Sequence, residues 1–324
     1  MRVLVTGSAG LIGRWVAERL LLEKHEVAGL DLLPAPFDAP DYSHHRCSIL
    51  DAAALQSVFA RTAPDAVIHL AARIDLKGVT ATDYAANIDG VRNVVAAVRA
   101  TPSVRRAIYT SSQLVCRVGY IPRFDQDYCP STLYGESKVR TEQIVRESDG
   151  GGVEWMLCRP TTVWGPHMHP HYVRMLHLIE RGMFFHCGKQ KLFKSYAYAG
   201  NIAWQYFRLL TAPAEQINRR VFYLADYQPL SLREYTDRLA LAMGAPPIRT
   251  FPLWLVHMFA LVGNALNMAG FRRFPFNSFR LGNILQEYVF DLGETRRVCG
   301  ELPYSWEEGV QATVDWYRET TCLK

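Results

Sequence analysis

Gly7, Gly10 and Gly13 stand three residues apart, directly after the apolar run Val3-Leu4-Val5 and ahead of a stretch, 11–22, with helical apolar spacing. No other feature restricts the fold as much. Glycine permits a tight strand-to-helix turn and lets the backbone approach a pyrophosphate, whose charge the helix N-terminus favours. Thr6-Gly7-Ser8-Ala9-Gly10-Leu11-Ile12-Gly13 therefore predicts a dinucleotide site built by Gly7, Gly10, Leu11, Ile12 and Gly13. A second strand over 26–30 ends at Asp31. A carboxylate at that place accepts hydrogen bonds from ribose hydroxyls and repels a 2′-phosphate, which predicts NAD over NADP. Arg14, close to the turn and of opposite charge, softens that preference.

The first half of the chain alternates strands and helices. Strands are expected over 2–6, 26–30, 66–70, 107–110 and 154–158, and helices over 11–22, 52–61, 83–100 and 134–147. Such alternation predicts an α/β fold, a Rossmann-type doubly wound parallel sheet with helices on both faces. Residues 1–160 are read as the dinucleotide-binding core. Past residue 160, Pro166, Pro170 and Pro246-Pro247 mark irregular connections, while 221–225 reads as a returning strand. Residues 161–324 are accordingly expected to form a smaller substrate-binding lobe, interleaved with the last strands of the core.

A net charge of +5 over 324 residues, with no recognisable binding module, excludes nucleic acid as the expected partner. Seven cysteines with no Cys-x-x-Cys pair speak against a disulfide framework and a zinc site, so reduced thiols and a cytoplasmic location are expected. The first strand starts at the initiator methionine, which leaves no room for a leader. No metal is expected, because no histidine pair has a convincing partner set. Residues 251–271 contain no Asp, Glu, Lys or Arg. They are read as one or two buried helices roofing a substrate pocket, with membrane contact as the lesser alternative.

Tyr134 and Lys138 lie four apart on a predicted helix and so share a face. An ammonium near a phenol stabilises the phenolate and lowers its pKa, making tyrosine a usable acid or base near neutrality. Ser112, ending the preceding strand in Tyr109-Thr110-Ser111-Ser112, offers a hydroxyl to hold a substrate oxygen. Ser112, Tyr134 and Lys138 are thus the candidate catalytic residues.

These features, with HLAA at 69–72, Asn87-x-x-Gly90-x-x-Asn93, RPTTVWGP at 159–166 and EEGVQATVDWY at 307–317, resemble the extended short-chain dehydrogenase/reductase family over nearly the whole chain. The resemblance implies that Tyr134 is the general acid/base, that Lys138 binds the nicotinamide ribose and tunes Tyr134, and that Ser112 orients the reacting oxygen. It places Ser48 and Ile49 at the adenine, Leu70, Ala71 and Ala72 along the cofactor channel, Asn87 in support of it, and Pro160 and Val163 near the nicotinamide. It also implies a homodimer through helices 83–100 and 134–147. Dehydratases of the family carry an Asp-Glu pair where Gln113-Leu114 stands here, which speaks against dehydration. Many epimerases have asparagine where Thr162 stands, which weakens an epimerase. Gln113 and Thr162 then count as candidate substrate contacts.

Two features bear on the substrate. Residues 167–194 carry Arg174, Arg181, Lys189, Lys191 and Lys194 against one acid, Glu180. That suits either a phosphorylated or nucleotide-linked substrate, with Lys194 as a contact, or a solvated surface run. The tail from 251, through Phe274-Pro275-Phe276 to Asp291, resembles the 3β-hydroxysteroid dehydrogenase branch; within it Arg280 is a candidate substrate residue, read as either a phosphate contact or a salt-bridge partner. The expected activity is an NAD(P)-dependent interconversion of a secondary alcohol and a ketone, on a nucleotide-activated sugar or a steroid-like alcohol. A nucleotide-sugar epimerase with tightly held NAD is the alternative. From another class, a non-catalytic dinucleotide-binding sensor remains, against which the intact Ser112, Tyr134 and Lys138 speak.

Overall fold

The computed structural model describes residues 1–268 and 276–322. Thirteen strands are present among them: β1 Arg2–Thr6, β2 Glu26–Asp31, β3 Tyr42–Arg46, β4 Ala66–His69, β5 Arg106–Thr110, β6 Glu154–Pro160, β7 Thr162–Trp164, β8 Phe185–Cys187, β9 Phe193–Lys194, β10 Tyr196–Tyr198, β11 Arg220–Leu224, β12 Leu230–Ser231 and β13 Arg249–Phe251. The helices are α1 Leu11–Leu22, α2 Ala52–Thr62, α3 Ala85–Ala100, α4 Leu133–Glu147, α5 Pro170–Glu180, α6 Ala199–Thr211, α7 Ala214–Ile217, α8 Leu232–Met243, α9 Leu253–Met268, α10 Ser278–Ile284, α11 Gly293–Cys299 and α12 Trp306–Cys322.

Seven strands form one parallel sheet in the order β11-β6-β5-β4-β1-β2-β3. Alternate residues of each strand feed two separate cores. Val3, Val5, Val27, Ile68, Ile108 and Met156 pack with Val16 and Leu20 of α1 and Leu209 of α6. Leu4, Leu30, Val67, Ala107, Trp155 and Leu157 face Leu55, Phe59, Val94 and Ile144 of α2, α3 and α4. This is the doubly wound arrangement that the alternation predicts. Strand order reverses between β1 and β4, and a crevice at such a reversal, beyond the strands' carboxyl ends, is where a doubly wound sheet holds its ligand. The glycine turn after β1 and residues 70–72 after β4 flank it.

Two readings of the sequence need correction. Strand β3 was not expected, because Tyr-Ser-His-His-Arg has no apolar alternation; it forms at the sheet edge, where little of it is buried. The stretch 251–271 is not wholly buried either. Up to Met268 it holds the single helix α9, of which only Val256, Ala260 and Gly263 are buried, and its remainder lies outside the described residues. No helix among the described residues is long and apolar enough to cross a membrane.

Helix α4 is joined to β6 by a buried ion pair. Arg159, on the α4 side of β6, donates from Nε to Oε1 and from Nη2 to Oε2 of Glu142, both at 2.7 Å, with the side chains 1% and 0% exposed. The Tyr128 hydroxyl donates to Glu142 at 2.9 Å, and Arg159 donates to the Tyr223 hydroxyl at 2.8 Å. Removing one partner leaves an uncompensated buried charge. Glu142→Gln is expected to lower stability by roughly 3–5 kcal/mol in a urea titration, and Glu142→Met combined with Arg159→Met to recover most of that loss.

Candidate active site

Gly7 sits at φ +73°, and a Cβ there would lie 2.7 Å from the Ala71 nitrogen. At Gly13 a Cβ would come within 2.0 Å of the Gly7 oxygen, so helix α1 can begin over the turn only with glycine in that place. Gly10, the N-cap of α1, has no side-chain cap, and the first turn holds no acid. Its backbone N–H groups, beside the half-buried Leu11 and Ile12, are therefore offered to a ligand. These are the features that a pyrophosphate requires, and in this respect the residues fit a dinucleotide.

Asp31 lies against the same turn. One carboxylate oxygen accepts from the Ala9 N–H and the other from the Leu33 N–H, both at 3.0 Å. Each oxygen keeps lone-pair capacity for a ribose hydroxyl. Arg14 is engaged with Glu18 at 3.0 Å and lies over the Phe37 ring. Ser48 accepts from the Leu50 N–H, while the buried Ile49 packs over Gly90 and its carbonyl accepts from Asn93. Leu70, Ala71 and Ala72 leave the end of β4, and Thr6 accepts from the first two N–H groups at 3.2 Å. Asn87 fastens the next residue: its Oδ1 accepts from the Arg73 N–H, and its Nδ2 donates to the Arg73 carbonyl and to Ser137 of α4. Pro160 is buried at the end of β6, with Val163 in β7 just beyond.

The three candidate catalytic residues meet at the carboxyl end of β5. Ser112 caps a short turn over 113–115 and accepts from the Leu114 N–H at 3.1 Å. Lys138 is buried and donates to the Thr110 carbonyl at 3.0 Å. Burial pushes its amine down to about 8, against the opposing charge of Glu142 one turn further along α4. Burial likewise pushes the Tyr134 phenol up to about 12, a shift that hydrogen bonding with Ser112 partly offsets. Burial of the phenol thus acts against the lowering expected from an ammonium one turn away.

Residues assigned to the substrate divide into two groups. Gln113 donates to Thr162 at 3.4 Å, and its carbonyl accepts from the Tyr288 hydroxyl at 3.0 Å. Lys194 lies on the other side of the Tyr288 segment, donates to the Asn283 carbonyl and is pushed down to about 8 by burial. Arg280 instead stands exposed on α10. Most of the basic segment is also on the surface: Arg174, Arg181, Lys189 and Lys191 are exposed, and Lys191 pairs with Glu234.

Sequence reasoning missed Thr6, His69, Ser111 and Tyr288. His69 bonds Thr6 at 2.7 Å and is held down to about 3, by burial first and the Lys138 charge second, so it stays neutral. The Ser111 hydroxyl is buried with no hydrogen-bond partner among the described residues, beside Ser112, where a ligand atom could satisfy it. Its place in the motif was the available signal. Tyr288 had none.

A family model described as the NAD dependent epimerase/dehydratase family matches residues 3–225. The chain belongs to that family. It is therefore an enzyme of the extended short-chain dehydrogenase/reductase class that uses a nicotinamide dinucleotide. The 2-alkyl-3-oxoalkanoate reductase of Stenotrophomonas maltophilia is 25% identical over 260 residues, covering 76% of this chain and 77% of that protein. The 3-beta-hydroxysteroid dehydrogenase of Mycolicibacterium neoaurum is 25% identical over 341 residues, covering 98% and 92%. Among solved structures, the UDP-glucose 4-epimerase of Thermotoga maritima with UDP-glucose superposes with a TM-score of 0.76 at 20% identity, covering 99% of this chain and all of that one. That likeness is one of fold.

Gly10 separates ligand contact from folding, because a Cβ there meets only the Gly7 oxygen, at 3.3 Å. Gly10→Ala is expected to weaken NAD binding about ten-fold or more, roughly 1.4 kcal/mol, by calorimetric titration. Its ligand-free melting temperature should stay close to wild type, whereas Gly13→Ala lowers both.

Proposed function

We propose that this enzyme interconverts a secondary alcohol and a ketone on a bulky apolar substrate, with NAD as the preferred cofactor. The observation that carries the reaction is the meeting of Ser112, Tyr134 and Lys138 at one strand end, next to the glycine turn. Bound nicotinamide supplies the hydride donor or acceptor, and in its oxidised form a positive charge. Ser112 holds the substrate oxygen, and Tyr134 gives that oxygen a proton in reduction and takes it back in oxidation. Lys138 binds the nicotinamide ribose, and its charge favours phenolate once water has left the site. Asp31 selects the unphosphorylated ribose.

The substrate class rests on the basic segment. Four of its five cations are exposed, which leaves Lys194, bridged to Tyr288, as its one partly buried cation and argues against a site built for a diphosphate. The Stenotrophomonas and Mycolicibacterium relatives, named for activity on 2-alkyl-3-oxoalkanoates and 3-beta-hydroxysteroids, support the same choice. Epimerisation of a nucleotide sugar is the second reading, favoured by the polar Gln113–Thr162 pair. A homodimer through α3 and α4 belongs to this proposal, and the Asp89–Arg92 and Arg140–Glu147 ion pairs on those helices would make its interface polar. The free cysteines among the described residues support a cytoplasmic location.

Purified enzyme is expected to oxidise NADH with hydrophobic ketones such as 3-ketosteroids or 3-oxoalkanoates, and to leave UDP-glucose unepimerised; conversion of the sugar without net change in NADH would reverse the choice. Tyr134→Phe should cut turnover on the order of 10²–10⁴-fold with NAD affinity retained. Reduction needs the protonated phenol and falls as pH rises through its pKa, while oxidation needs phenolate and rises. Lys138→Met should therefore move the rising limb of the oxidation profile to higher pH.

A further inference from the structure

Helix α9 combines the composition of a buried helix with the exposure of a surface one. Its 16 residues include no charged side chain. Val256 and Ala260 pack inward on Leu281, with Phe185, Phe251 and Phe276 around them. On the opposite face Trp254, Met258, Leu261, Val262 and Met268 recur at helical spacing in solvent; Trp254 is 66% and Met268 88% exposed. Phe279 of α10 is exposed as well. The polar residues of α9 are His257, exposed at the border of this face, Asn264 and Asn267, and a helix so largely apolar is normally covered on every side, by protein or by lipid. A contiguous exposed apolar face marks an interaction surface.

The charges around this face narrow what can cover it. From 239 to 286 the chain has no Asp or Glu but four arginines, Arg249, Arg272, Arg273 and Arg280, of which Arg272 and Arg273 lie outside the described residues. Arg249 and Arg280 are exposed. So is Lys189, which follows Gly188, and Gly188 abuts the first residue of α9: a Cβ there would lie 2.7 Å from the Leu253 side chain. A second copy of the chain is a poor occupant, since an isologous contact sets a patch against itself and this stretch offers no acid to meet its cations. An anionic lipid surface meets both the apolar face and the charge. The sixteen described residues of α9 span about 24 Å, short of the ~30 Å hydrocarbon core, which suits a helix lying along a bilayer.

We propose that α9 seats this protein on an anionic bilayer, with the face of Trp254, Met258, Leu261 and Val262 in the headgroup–acyl boundary and the flanking cations on the headgroups. The seat is continuous with the candidate active site. Asn264 of α9 donates to Ser278, which opens α10, and beyond α10 the Tyr288 hydroxyl donates to the Gln113 carbonyl, next to Ser112.

The test is co-sedimentation of the purified full chain with vesicles of phosphatidylcholine alone and of equal parts phosphatidylcholine and phosphatidylglycerol, at low and high salt. Wild type is expected to bind the anionic vesicles roughly ten-fold tighter than the neutral ones and to lose much of that advantage at high salt. Trp254→Ser with Leu261→Ser should abolish binding without lowering the melting temperature, and Arg249→Glu should weaken it several-fold. Absence of vesicle binding by wild type, or binding unchanged in the double variant, overturns the proposal. So does a wild-type dimer that the double variant dissociates in sedimentation equilibrium without any vesicle binding, which would assign the face to a second copy. Binding is scored without substrate, so its failure leaves the proposed chemistry untouched.

Discussion

Helix α4 buries four polar side chains, Ser137, Lys138, Thr141 and Glu142, and can hold its place only if each finds a partner. Each does. Ser137 accepts from Asn87, Thr141 donates to the Asn87 carbonyl, Lys138 donates to the end of β5, and Glu142 accepts from Arg159 and Tyr128. In a low-dielectric interior such a network is rigid when complete and costly when partial. It therefore fixes the rotation of α4, and with it the direction in which Tyr134 and Lys138 point. Arg159 immediately precedes Pro160, so the same ion pair also fixes the strand end expected beside the nicotinamide.

The glycine positions deserve the same physical reading. Gly7 and Gly13 are required by the chain's own packing, through the approach of Ala71 to one and of Gly7 to the other, before any ligand is considered. Gly10 is not required in that way, since its neighbour stands at a distance that ordinary packing nearly tolerates. One motif thus serves two purposes: its outer glycines bring β1, β4 and α1 together, and its middle glycine keeps the surface of the turn low where a pyrophosphate would lie.

What the sequence made legible is what local pattern controls. Strand alternation around a buried sheet, the glycine turn, and the i, i+4 placement of Tyr134 and Lys138 are all short-range, and each appears close to its expected place. Strand β3 was hidden because an edge strand needs no apolar face. The basic segment left two readings open because charge was counted along the chain, whereas the fold turns Arg174, Arg181 and Lys189 outward and engages Lys191 with Glu234. For α9 the composition was read correctly, but composition cannot say whether a covering surface lies within the chain. The shifts of Tyr134 and Lys138 depend on burial by residues far away in sequence, which spacing does not report. Tyr288 meets Gln113 across 175 positions, a contact that no pattern announces.

That contact has a mechanical consequence. The Tyr288 hydroxyl donates to the carbonyls of Gln113 and Cys116, at the two ends of the turn that Ser112 caps. Backbone bonds on either side of Tyr288 tie it to Phe193 and Ser195, flanking Lys194. The segment following α10 is thus a splint between the turn that carries the candidate hydroxyl and the strand that carries Lys194. A movement that freed Tyr288 would release both at once, and a bulky substrate that packed beneath the segment would hold both in place. The placements of Ser112 and Lys194 are thereby coupled through one phenol.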